Sequence, residues 1–174
     1  MHDSRVVNVL GAGSLAIADL IDASVTSSAR TSRSGAAALA VLLQSGGLSV
    51  TELGKRVGLT QPAAARMVAT LEEVGQVTRH AGQGRQVRVE LTETGRSSAR
   101  LLLQNRSHQV AELLEGLSSA EQQTLAELLD KVLTKVYDRV HDANLICRLC
   151  DRHECTSTGR RCPVGLAAGE AADA

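Results

Sequence analysis

The stretch "LTQPAAARMVATLEEVGQVTRHAGQGRQVRVELTETGR", residues 59–96, changes its period part-way along, and that change decides how the chain is read. Up to Leu71 the apolar residues Ala64, Met67, Val68 and Leu71 recur at helical spacing. Thr60 is the expected cap, Pro62 lies in the first turn where a missing N–H costs nothing, and Gly75 is the stop. Further on, Val87, Val89 and Leu91 alternate with Arg88, Glu90 and Thr92, the period of a half-buried strand. "VTRH", residues 77–80, can pair with it across the glycine-bearing turn Ala81 to Gln86. A helix followed by a β-hairpin with basic residues at its tip results.

Immediately upstream, Thr51 is a plausible N-cap for a short helix whose Leu53 and Val57 share one face, with Gly58 ending it in a left-handed turn. Gly54 is small enough to let the following helix pack closely over this one. Before that, Ser34 can cap a helix through "AAALAVLLQS" that stops at Gly46-Gly47. Residues 5–22 carry Val6, Val7, Leu10, Leu15, Ile17, Ala18 and Ile21 at loose helical spacing, weakened by Gly11 and Gly13, and "ASVTSSARTSRSG" reads as a polar connector. Downstream, Thr92 or Thr94 opens a long amphipathic helix, and a capping box at Ser118 or Ser119 opens another that runs toward Cys147. Its stripe, from Leu125 through Leu128, Leu129, Val132, Leu133, Val136 and Tyr137 to Val140, is too wide for a solitary helix and wants a partner.

The chain has 174 residues, 43% of them apolar, enough for one main domain with an appendage. With no Trp, no Phe and Tyr137 as the single aromatic, Leu, Val, Ala and Ile must build the interior, mostly through helices. The start lacks the features of a secretory signal, and no apolar run approaches the roughly 20 residues that span a bilayer, so a cytoplasmic protein without membrane contact is expected. The formal charge is zero, but it is segregated. Between Lys55 and Arg106 nine basic residues face four acidic ones, about +5, whereas Ser107 to Asn144 carries three against seven, about −4. It is the middle segment that can face phosphate.

Three helices and a hairpin, with the basic surplus in the last two, form the pattern by which a winged helix–turn–helix meets DNA. On this reading Thr60, Gln61, Pro62, Ala65 and Arg66 lie at the major groove, where Gln can bond adenine, Arg guanine, and small Pro62 and Ala65 permit close approach. Arg79, Arg85 and Arg88 on the hairpin take phosphates or probe minor-groove width. The competing reading for each of these arginines is an ordinary solvated charge. His80 and His108 read as surface residues, and Lys55 and Arg56 as backbone contacts or solvated charges alike.

The same stretch, with its closing "LT-x-x-G-R", resembles the recognition helix and wing of the MarR family of transcriptional regulators, and the likeness runs from about Arg33 to about Val140. The resemblance implies a homodimer with intertwined first and last helices, binding a pseudo-palindromic double-stranded operator. It implies a repressor released by a small molecule, an oxidant or a metal. Where the family usually places Asp before the wing-tip Arg, this chain has Gly84 before Arg85, which loosens the wing. The shortage of aromatic residues argues against a pocket that stacks phenolic ligands.

All four cysteines fall in "NLICRLCDRHECTSTGRRCPVG", residues 144–165, at Cys147, Cys150, Cys155 and Cys162, spaced C-x2-C-x4-C-x6-C. In a reducing compartment such clusters are metal ligands or redox sensors more often than disulfides. Four thiolates suit tetrahedral zinc and also an iron–sulfur cluster, with zinc ranked first and bare redox thiols third. Arg148, Arg152, Arg160 and Arg161 outnumber the nearby acids and should favour thiolate, though solubility explains them equally, and His153 is a poorer ligand candidate than the thiols.

The sequence thus predicts a mainly α fold with a small β-hairpin wing, a winged helix–turn–helix whose N- and C-terminal helices form a dimerisation region. The expected divisions are an N-terminal dimerisation helix and connector at 1–32, the DNA-binding domain at 33–96, C-terminal dimerisation helices at 97–146, the cysteine-rich metal segment at 147–163 and a disordered tail at 164–174. The expected function is non-enzymatic transcription regulation, with DNA affinity responding to metal or redox state. One rival is a thiol–disulfide protein using Cys147-Arg-Leu-Cys150, which lacks a βαβ context. Another is a winged-helix protein-interaction module with a purely structural zinc.

Overall fold

The computed structural model describes residues 3–81, 87–157 and 159–169. Its elements in order are α1 (Ser4–Ala29), α2 (Arg33–Ser45), β1 (Leu48–Ser49), α3 (Val50–Arg56), α4 (Gln61–Glu73), β2 (Val77–Ala81), β3 (Val87–Leu91), α5 (Glu93–Glu112), α6 (Ser119–Val140), α7 (Ala143–Ile146), α8 (Arg152–Thr156) and α9 (Pro163–Ala167). The predicted class holds: the fold is mostly helical, with a small antiparallel sheet in the order β1-β3-β2. In that sheet Val77 lies opposite Leu91 and Arg79 opposite Val89. The two-residue strand β1, which pairs Leu48 with Val89, is too short to leave an alternating pattern in the sequence.

α2 is the axle of the fold. Gly35 through Ala40 and Leu42 are all buried, and α1, α3, α4, α5 and β3 pack around them. Alanine makes this possible, because a helix with methyl side chains on every side lets its neighbours approach from several directions at once. The rest of the core is aliphatic, with Val25, Leu53, Val68, Leu71, Val89 and Leu102 inaccessible to solvent.

Two helix starts differ from expectation, each by a competing cap two residues upstream. Ser32, not Ser34, caps α2 by accepting from Gly35 N at 3.2 Å. Ser49, not Thr51, caps α3 by accepting from Glu52 N at 3.1 Å. Thr60 stands at the N-cap of α4 with extended backbone, yet its side chain makes no cap hydrogen bond. At α6 the capping box forms as expected, and the hydrogen bonds from Ser118 hold the Glu121 carboxyl below its usual range.

The first helix runs well past the predicted end, taking in most of the presumed connector, and stops where Arg30 adopts a left-handed conformation. Within its 26 residues an 18-residue stretch reaches a mean hydropathy of 1.6, enough to cross a membrane by length and composition alone, where the sequence reading expected no such run. A search for unbroken apolar runs misses it because Asp19, Asp22 and several serines interrupt the run without lowering its average enough. The last long helix is in turn shorter than expected. It breaks at His141, also left-handed, before the one-turn α7 begins.

The "LT-x-x-G-R" pattern has a structural cause. Thr92 caps α5 through Gly95 N at 3.0 Å and donates its hydroxyl to the Gly75 carbonyl at 2.6 Å, while its N–H reaches the Gln76 carbonyl at 3.1 Å. A Cβ on Gly95 would run into that same Gln76 carbonyl, so only glycine lets α5 sit this close to the wing. The buried Gln76 side chain then donates to the Ala29 carbonyl at 2.9 Å and to Ser98 Oγ at 3.3 Å, tying the end of α1 to the same junction. Gly95→Ala should therefore cost about 1–3 kcal/mol by overpacking against backbone that cannot yield. Gly116→Ala, which meets nothing within 4 Å, should stay within about 0.5 kcal/mol. Urea unfolding midpoints of the two variants check both.

Candidate nucleic-acid interface and four-cysteine site

α3 and α4 form a helix–turn–helix in which Gly58 (φ +72°) makes the turn. The close approach predicted for Gly54 is present: a Cβ there would lie 2.7 Å from the Ala64 Cβ. Ala64, Met67, Val68 and Leu71 point into the core, which leaves Thr60, Gln61, Pro62, Ala65 and Arg66 exposed together along the outer side of α4. Ala69 and Thr70 extend that exposed side, and the i+4 step from Ala65 and Arg66 is the signal by which they could have been found. Thr60 offers a hydroxyl uncommitted to the cap. No acidic group among the described residues pairs with the Arg66 guanidinium. With first-turn N–H groups at the same end, the α4 N-terminus is polar, positive and built from small residues.

The wing arginines are less free. Arg79 Nε pairs with Glu72 Oε2 of α4 at 3.1 Å, and Arg88 Nε with Glu90 Oε1 at 2.8 Å. Both pairs are solvent-facing and therefore weak, so phosphate can displace either carboxylate. Arg85 lies outside the described residues.

The cysteine segment folds as three single turns. Cys147 caps the end of α7, Cys150 follows one turn later with its N–H on the Cys147 carbonyl at 2.9 Å, and Cys155 sits on α8. Cys162 caps α9, its Sγ accepting from Gly165 N at 3.4 Å. All four are free thiols of intermediate burial. The thiols interact in a ring, Cys147 with Cys150, Cys150 with Cys155, Cys155 with Cys162 and Cys162 with Cys147. The Cys150 S–H donates to Cys147, which lowers the Cys147 pKa and pushes that of Cys150 far up, while burial raises Cys155 to about 11.

The charge environment differs from the one the sequence suggested. Arg106 of α5, which local spacing could not reveal, is the cation that favours thiolate at Cys150. Arg148 instead donates to the Leu145 carbonyl, and Arg160 Nη2 to Gln123 Oε1 at 2.8 Å. His153 is exposed beside Glu154 at 3.6 Å. Two cavities, of about 170 and 290 Å³, have all four cysteines in their walls.

Among the described residues no group of three or more His, Cys, Asp or Glu side chains already encircles a cation position. The sulfurs stand in thiol-to-thiol contact. The donor set still fits a thiophilic ion, because a tetrahedral shell of four thiolates requires four half-buried sulfurs within reach of one another.

A three-helix core with a two-stranded wing and a short third strand is the winged helix–turn–helix class. Residues 31–83 match the model of the MarR family. The chain is similar in structure to the YusO protein of Bacillus subtilis, at 24% identity over 74% of this chain and 92% of that one, TM-score 0.66. A MarR family protein from Bacillus stearothermophilus matches at 24% identity over 78% and 99%, TM-score 0.67. MepR, a transcription regulator of the Staphylococcus aureus multidrug efflux pump MepA, matches at 18% identity over 78% and 99%, TM-score 0.65. The winged-helix core of this chain thus shares the fold of these proteins, and residues 31–83 carry the MarR family's pattern. The C-x-x-C pair sits at the end of a one-turn helix, away from any βα junction.

The thiol ring carries a chemical prediction. In protein kept metal-free by a chelator, Cys147 should be alkylated first at neutral pH, ahead of Cys150 and Cys155. Peptide mapping after brief iodoacetamide treatment reads the order; equal labelling would contradict the ring.

Proposed function

We propose that this protein is a cytoplasmic, homodimeric, sequence-specific regulator of transcription, acting as a repressor on a pseudo-palindromic double-stranded operator. The observation that carries the reading is the exposed row Thr60, Gln61, Pro62, Ala65 and Arg66 at the start of α4, on a helix whose opposite side is wholly committed to the core. Small residues let the helix backbone approach base edges, Gln61 and Arg66 supply the hydrogen bonds that distinguish adenine and guanine, and Arg79, Arg85 and Arg88 hold the flanking phosphates.

The dimer reading rests on two helices that lack cover. α6 buries none of its residues, leaving Leu128, Leu129, Val132, Val136 and Val140 exposed, and α1 exposes Val6, Val7, Leu10 and Leu15. Apolar faces of this extent are covered in stable proteins, and a second copy offers both faces in reciprocal positions. Two reading heads one helical turn of DNA apart would then demand a two-fold operator.

Cys147, Cys150, Cys155 and Cys162 would hold zinc, ranked first, or an iron–sulfur cluster, since four thiolates in one compact segment suit either. Bound there, zinc supplies a tetrahedral cross-link and a cluster supplies oxidant sensitivity. Either makes DNA affinity responsive to metal supply or redox state.

Duplexes selected from a random pool should bind with nanomolar-range affinity and a steep loss on adding salt. Arg66→Ala should then cost about 1–3 kcal/mol on the selected duplex and far less on random duplex. Affinities for both duplexes that stay unchanged from the parent's would remove α4 as the reading element.

A further inference from the structure

The four-cysteine unit is attached at two places. On one side it is fastened to α6: α9 packs against that helix, Val164 is buried, and Arg160 bonds Gln123. On the other it is seated on the DNA-reading half. Gln44 Nε2, in the last turn of α2, donates to the Cys150 carbonyl at 2.6 Å, and Leu149 packs against the buried core. Leu145 Cδ1 stands 3.0 Å from where a Cβ on Gly58 would be, and Gly58 is the turn of the helix–turn–helix. Leu145 and Arg148 line one crevice with Val57, Gly58 and the first residues of α2.

The helices of this unit have four, five and five residues. Helices this short do not persist in water on their own, since each forms too few backbone hydrogen bonds to offset nucleation. α7 and α9 touch directly, and the sulfurs link all three turns to one another. Their order, and so the presentation of Leu145 and the Cys150 carbonyl, depends on what binds those sulfurs together.

We infer that the cysteine unit is a latch between α6 and the turn joining α3 to α4, with Leu145 and Gln44 as its positioning residues. The inference rests on the proposed metal site and adds where its state is felt. Metal bound by the four thiolates orders α7 to α9, presses Leu145 against Gly58 and fixes the pose of α4 relative to α6. Loss of metal frees the turn within the same protomer.

Hydrogen exchange of the full-length protein, with zinc(II) and then with a chelator, tests this. Zinc should slow amide exchange at residues 54–59 by roughly tenfold or more, a local-opening effect. In a Leu145→Ala/Gln44→Ala double variant zinc should still be taken up and still protect residues 147–163, while the effect at 54–59 disappears. Zinc uptake with unchanged exchange at 54–59 in the parent, or the same protection there in the variant, overturns the latch. Gln44→Ala alone, altering one exposed side chain, covers a double variant that fails to fold: it should reduce the effect at 54–59, and full retention overturns the inference. A parent that takes up no zinc fails the zinc reading and the zinc-driven latch with it, seen directly as absence of bound zinc. Failure to bind any duplex would leave the exchange result standing and reject only the DNA reading.

Discussion

The arrangement depends on how closely other elements can approach α2. A chain without Phe or Trp cannot fill wide gaps between helices, so it must bring them together, and the alanines at 36, 37, 38 and 40 allow this on every side of one helix. Close approach recurs wherever position matters. Gly54 brings α3 onto Ala64 of α4, and Gly95 brings α5 onto the Gln76 carbonyl. Small-residue contacts leave little room for slack, because neither a methyl group nor a backbone carbonyl can rotate away. The pose of α4, on which the proposed DNA recognition rests, is therefore set by short contacts and not by bulky side chains.

Much of this was legible in the sequence because it is local. The switch from helical to alternating period between Leu71 and Val87 marks the wing, and the buried row Ala64, Met67, Val68 and Leu71 identifies by elimination the exposed side of α4. Helix starts were less readable. Runs such as Thr31-Ser32-Arg33-Ser34 and Ser49-Val50-Thr51 hold two adequate caps, and tertiary packing chooses between them. The length of α1 was hidden for a related reason: serine and threonine look like connector residues until the far side of their helix is seen to pack on α5.

The cysteine segment was legible in its ligands and opaque in its setting. Spacing brought the four thiols together, yet nothing local shows that Arg106, more than 40 residues away, acts on Cys150, or that Gln44 bonds its carbonyl across 106 residues. Such contacts depend on how α6 returns its C-terminal end to α2, and that path is set by the left-handed break at His141. A polar residue at the end of a helix gives no sign of a distant partner. The arginines beside the cysteines suggested an electropositive pocket, but Arg148 and Arg160 are occupied with a carbonyl and an amide.

The uncovered face of α6 bears on how the protein behaves at different abundances. If a second copy covers it, assembly follows mass action, and the number of complete reading pairs rises as the square of the number of chains when chains are scarce. A cell with few molecules would leave its operators almost empty, and a modest rise in synthesis would fill them abruptly. A threshold of this kind needs no effector; it is a property of a helix that cannot be satisfied by its own chain.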